Sequence, residues 1–182
     1  MKTTLLSVAI GLLAGAASAG GFLVPGGTAA PAGDWTGFHA GIHYGAGSVE
    51  AKGPAGRRES DMDAYGLHLG YLRDFGAHVL GAELDYDRLD GDGGESADLL
   101  RLRARAGMDY GRVLPYLSLG LARYSDDTYG DTGLTYGFGV DFRLNEAVTL
   151  GLDYARDRID DVDGSRADLD IDSLRVRASL RF

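Results

Sequence analysis

Ile171-Asp172-Ser173-Leu174-Arg175-Val176-Arg177-Ala178-Ser179-Leu180-Arg181-Phe182 is the stretch whose alternation decides the fold. From Leu174 onward every second residue is apolar: Leu174, Val176, Ala178, Leu180 and Phe182. Arg175, Arg177, Ser179 and Arg181 lie between them. A period of two describes a strand with one apolar and one polar face. A polar face carrying three arginines, on a strand ending in an aromatic, fits lipid outside and a hydrogen-bonded, charged interior.

The same alternation recurs upstream in segments about ten residues long, the length of a tilted strand crossing a bilayer. Eight strands are expected, at about 35–46, 63–73, 77–88, 98–110, 114–124, 133–143, 147–157 and 171–182. In the third, Leu80, Ala82, Leu84 and Tyr86 oppose Gly81, Glu83, Asp85 and Asp87; in the fourth, Leu100, Leu102, Ala104 and Ala106 oppose Arg101, Arg103, Arg105 and Gly107. The seventh sets Val148, Leu150, Leu152 and Tyr154 against Thr149, Gly151, Asp153 and Asp157. Short turns at 73–76, 111–113 and 144–146 alternate with longer Gly-, Asp- and Ser-rich loops at 47–62, 89–97, 125–132 and 158–170. Short turns at one end and long loops at the other describe an all-β, eight-stranded antiparallel up-and-down transmembrane β-barrel. A soluble barrel of the same strand count would turn its apolar face inward. Glycines and opposite charges on the polar face suit a narrow lumen, and Tyr44, Tyr65, Tyr71, Tyr86, Tyr110, Tyr136, Tyr154 and Phe182 on the apolar face suit interfacial girdles.

Residues 1–19 read as a secretory signal peptide: Lys2, an uncharged apolar run from Leu5 to Ala14, then Ala17-Ser18-Ala19 before the cut. Residues 20–34 read as a flexible Gly/Pro/Ala-rich tether and 35–182 as the barrel domain. No segment has the roughly 20 continuous apolar residues of a membrane-spanning helix. Cysteine is absent, so disulfides and thiolate metal sites are excluded. Losing Lys2 with the signal would move the formal charge from −9 to −10, which argues against nucleic-acid binding.

Asp34-Trp-Thr-Gly-Phe-His-Ala-Gly41 resembles the W-T-G-F-Y-x-G start of the first strand in small alphaproteobacterial outer-membrane proteins, the opacity-protein-like β-barrel or porin family. Gly81–Tyr86, Pro115–Gly120, Tyr136–Asp141, Leu150–Tyr154 and Arg177–Phe182 carry further matches in the family's order. The resemblance implies an eight-stranded barrel placed in the outer membrane by the barrel-assembly machinery, with Phe182 as the assembly signal. His39 stands where the family usually has Tyr.

The lumen is expected to hold an ion-pair network of Glu83, Asp85, Arg101, Arg103, Arg105, Asp141, Arg143, Asp153, Arg175 and Arg177, with Arg181 on the same face. A barrel this narrow has room for side chains and little else, and its charges must be paired. These ion pairs read as a plug; a narrow pore or gated channel is the alternative. The acidic segments Asp87–Glu95 and Asp157–Gly164 offer oxygen donors but lack the spacing of a calcium loop, so no metal and no cofactor is expected. Divalent cations could still bridge them to lipopolysaccharide phosphates. His39, His43 and His68 face the lumen, and His78 has no Ser neighbour, so no catalytic site is expected. The expected protein is a monomeric outer-membrane barrel supporting envelope integrity, with outer-membrane lipids, lipopolysaccharide and the assembly machinery as partners. Adhesion and lipid A modification are further alternatives.

Overall fold

The computed structural model describes residues 33–53, 56–91, 96–125, 130–159 and 168–182. The signal peptide, most of the tether and the centres of the acidic loops lie outside these residues. Eight strands run β1 (Gly37–Gly53), β2 (Gly56–Asp74), β3 (His78–Gly91), β4 (Ser96–Met108), β5 (Val113–Ser125), β6 (Gly130–Arg143), β7 (Val148–Ile159) and β8 (Asp168–Arg181). Each pairs antiparallel with the next, and β1 pairs with β8, so the sheet closes on itself without a free edge.

The alternation sets the faces. Along β4, Leu100 and Leu102 are exposed while Leu99, Arg101 and Arg103 are buried. Large apolar side chains cover the outside of every strand, with Leu117 at 68% and Leu102 at 57% exposed, whereas arginines fill the inside. This inversion of the soluble pattern places the barrel wall against lipid.

Polar side chains fold back on the backbone at the three short turns: Asp74 accepts from Gly76 N, Asp109 from Gly111 N, and Asn145 from both Ala147 N and Val148 N. Gly76 (φ 94°) and Gly111 (φ 77°) occupy backbone conformations that side chains disfavour.

The strands at the opposite end are longer than the sequence pattern predicts. The span expected as a loop at 47–62 is largely ladder, with Gly47↔Met62 continuing to Gly53↔Gly56. The 89–97, 125–132 and 158–170 loops shorten likewise, because β3, β5 and β7 run on to Gly91, Ser125 and Ile159. Toward this end the apolar side chains Met62, Leu89 and Ile171 turn to the inside, so the lipid-facing alternation ends while backbone pairing continues.

Candidate functional site: a charged lumen with apolar ends

Three layers fill the lumen. The end near the short turns is closed by Trp35, Leu72, Val79 and Leu114, which form one buried cluster. Trp35 lies before β1 rather than within it, and it folds into the barrel mouth. Its indole Nε1 donates to Asp109 Oδ1 (3.1 Å), its amide donates to Asp74 Oδ2 (3.0 Å), and the Arg143 guanidinium lies 4.0 Å over the ring. Arg143 also donates to the Asp34 carbonyl, as does Arg181. Arg143 therefore serves the mouth rather than the central network in which its alternation had placed it. The Asp34 carboxyl is held below the usual carboxylate range, first by its hydrogen bond with the Thr36 side chain and then by the Thr36 amide.

At the far end Met62, Ala64, Leu89, Ala97, Leu99, Ala122 and Ile171 form a second buried apolar cluster. Between the two clusters lie six buried carboxylates (Glu83, Asp85, Asp87, Asp141, Asp153, Asp157) and five buried guanidiniums (Arg101, Arg103, Arg105, Arg175, Arg177). Arg103 is the hub, reaching Glu83 at 2.8 Å, Asp85 at 2.9 Å and Asp153 at 3.2 Å. Arg105 bridges Glu83 (2.7 Å) and Asp141 (2.5 Å) and lies over the Tyr116 ring. Arg101 joins Asp87 to Asp157, and Arg177 meets Glu83 at 2.5 Å. Arg175 pairs with Asp87 and Asp153. Half of these links cross the lumen between strands that do not neighbour each other. Desolvated charges are tolerable only with this density of partners.

Asp87 and Asp157 complete the network. Both carry the alternation of a polar face, yet they also open the acidic segments Asp87–Glu95 and Asp157–Gly164, and the sequence pattern alone pairs them with no arginine. Their carboxylates are fully buried against Arg101 and are not available to loop cations. Among the described residues no group of three or more His, Asp or Glu side chains is arranged to hold a metal ion.

The three lumen histidines interlock with glycines. Across β1 and β2 the register pairs His39 with Gly70, Gly41 with His68, and His43 with Gly66. Each imidazole lies over a glycine: a Cβ at Gly41 would stand 2.7 Å from His68 Cε1, and one at Gly66 would stand 2.7 Å from His43 Nε2. His39 bonds Glu83 (2.9 Å), His43 bonds Asp87 (2.8 Å) and His68 bonds Ser179 Oγ (2.7 Å). His78 is exposed at the start of β3.

Two aromatic belts ring the exterior. Phe38, Tyr71, Phe75, Tyr110 and Phe182 are exposed near the short turns, with Phe38 and Phe182 stacked at 6.3 Å. Nearer the far end the hydroxyls of Tyr44, Tyr86 and Tyr154 donate to Asp63 (3.2 Å), Asp98 (2.9 Å) and Asp172 (2.5 Å). Apolar ring bodies with polar tips mark membrane–water boundaries.

Residues 6–182 match the family model of the outer membrane protein beta-barrel domain. The chain belongs to this family. The match carries the outer-membrane barrel and its location, and not the alphaproteobacterial origin that the first-strand motif implies. No curated protein sequence matches the chain significantly. Among solved structures, Neisserial surface protein A (NspA) is similar at 22% identity and a TM-score of 0.55, over 81% of this chain and 98% of that one. Ail, the attachment invasion locus protein of Yersinia pestis, is similar at 17% identity and a TM-score of 0.52, over 81% and 99%. The N-terminal β-barrel domain of Pseudomonas aeruginosa OprF gives 15% identity and a TM-score of 0.52, over 79% and 97%. These likenesses concern the fold.

In an outer-membrane barrel the short turns are periplasmic and the longer connections external. The Trp35 cluster is thus the periplasmic end of the lumen, and the Leu99 cluster its external end.

Proposed function

We propose that this outer-membrane barrel is a structural, non-catalytic and non-conducting element of the envelope, its lumen a plug rather than a path. The observation that carries the reading is the order of the filling: an apolar cluster at each end and a charged layer between them. An ion entering from either side meets apolar side chains first and then carboxylates already engaged by arginine. The four histidines also support the absence of catalysis, since three are bonded inside the wall and His78 sits at the periplasmic end. The protein acts as a monomer whose partners are outer-membrane lipids, lipopolysaccharide and, during insertion, the assembly machinery reading Phe182. Recording from planar bilayers containing the refolded full chain tests it. A flat baseline is expected, and steady unitary currents would replace the plug with the channel reading.

External display is a second reading, favoured by the β1–β2 hairpin. It continues to Gly53↔Gly56, while pairing between β2 and β3 stops at Met62↔Gly91. The hairpin therefore rises past β3 and β4, while β8 accompanies β1 as far as Lys52↔Asp168, and Arg57 bridges to Glu50. Deleting residues 50–59 should leave the barrel folded and remove any surface attachment that the intact protein confers on cells.

A further inference from the structure

The charged layer of the lumen is one cation short. Its six carboxylates face five guanidiniums, and all eleven side chains are buried within the wall. A surplus anion sealed inside a bilayer-spanning barrel is unfavourable, so the layer needs one more positive charge. The only other ionisable cations there, among the described residues, are the imidazoles of His39, His43 and His68.

Hydrogen-bond geometry separates the three. Asp87 already accepts from Arg101 and Arg175, so it is an acceptor, and His43 Nε2 must donate to it at 2.8 Å. His43 Nδ1 then faces His68 Nδ1 at 3.3 Å, and His68 Nε2 lies 2.7 Å from Ser179 Oγ. This chain works in two states. With both rings neutral, His68 Nδ1 donates to His43 Nδ1 while His68 Nε2 accepts from the Ser179 hydroxyl. With one proton added, His43 Nδ1 donates to His68 Nδ1, and the His68 proton sits on Nε2 and donates to Ser179 Oγ. No hydrogen bond is lost in passing from one state to the other. His39 has no such freedom: its Nε2 serves Glu83, and its buried Nδ1 meets no acceptor. A second proton there would be buried unpaired.

We propose that the His43–His68 pair is a buried proton-binding site, holding one excess proton that completes the charge balance of the lumen. The groups facing the pair set its terms. Asp87, Asp85 and Glu83 from β3 favour the charged state, Arg177 and Arg175 from β8 oppose it, and the His39 ring of β1 lies 6.1 Å from that of His68. Arg101 from β4 shares Asp87, and Asp153 from β7 draws on Arg175 and Arg177. The hydrogen-bond chain from Asp87 through the pair to Ser179 takes up a proton without leaving a donor unmatched. The inference rests on the closed lumen proposed above, because an open one could balance its charge with mobile ions.

Ring nitrogen NMR of the full chain, labelled with ¹⁵N-histidine and folded in phospholipid nanodiscs, tests it. The spectrum is recorded at a bulk pH of about 8, where an ordinary imidazole of pKa about 6.5 is neutral. One imidazolium signature is expected, abolished by His43→Gln. Asp157→Asn touches none of the histidines but removes one carboxylate, so it should abolish the imidazolium. Asp141→Asn, whose carboxylate faces Arg105, should do the same and serves if the first variant does not fold. Four neutral rings in the native chain would overturn the proposal, as would an imidazolium unchanged in a folded Asp→Asn variant. Conductance of the same protein in planar bilayers distinguishes the two readings: current with the imidazolium intact defeats only the plug, and a silent barrel with neutral rings defeats only the proton site.

Discussion

Arg103 shows what single residues do in this wall. One guanidinium serves Glu83, Asp85 and Asp153, on two strands, and adds a long contact to Ser118 Oγ at 3.4 Å. Arg103→Leu leaves those carboxylates competing for the remaining arginines and should lower barrel stability by about 3–5 kcal/mol, read from urea unfolding in micelles. A variant as stable as the parent would mean that the network is solvated. At the chain's end, Phe182 exchanges backbone hydrogen bonds with Phe38 and is 75% exposed on the lipid side. Deleting it should slow assembly in cells, measured as the heat-shifted folded fraction, while purified, already inserted protein keeps its unfolding midpoint.

The alternation of a whole strand is tested at the scale of the element. Leu102 faces lipid on β4, between Arg101 and Arg103 of the lumen face. Leu102→Arg should cost about 2–4 kcal/mol in a bilayer folding titration, and a silent substitution would reverse the face assignment. The β1–β2 pair adds a second element-scale device, because its imidazoles occupy the space that glycines leave. A side chain at Gly41 meets both the Ala178 carbonyl and the His68 ring. Gly41→Val should therefore destabilise by about 1–3 kcal/mol through overpacking, visible in the same titration. A neutral result would show that His68 has room to move.

For the whole molecule, closure matters more than any one pair. The ladder from β1 round to β8 leaves no free edge, and the lumen is capped at both mouths. Trp35 is the largest side chain of the periplasmic cap, clamped between β2, the β4–β5 turn and Arg143. Trp35→Ala should cost about 3–5 kcal/mol, as burial of a large aromatic predicts. It should still give no steady current, since the charged layer and the external cap remain. Unitary currents from this variant would locate the seal in Trp35 alone.

Much of this was legible in the chain itself. A period of two, repeated eight times with short and long connections in turn, specifies the strands, their two faces and the closure, because each side chain's face follows from its position along the pleat. The alternation also puts the buried acids and arginines on one face, Asp87 and Asp157 included, although the neighbouring Gly- and Asp-rich residues read more strongly as loop. The partners were not legible. Arg103 with Asp153 and Arg175 with Asp87 join β4 to β7 and β8 to β3, and such contacts depend on barrel closure and strand stagger rather than on spacing in the chain. Trp35 escaped for a related reason: the alternation reads as a strand from residue 35, and only a closed barrel provides the mouth into which Trp35, ahead of β1, folds. The imbalance of six carboxylates against five guanidiniums likewise appears only when the tertiary structure decides which charges share one dry interior, and which face water.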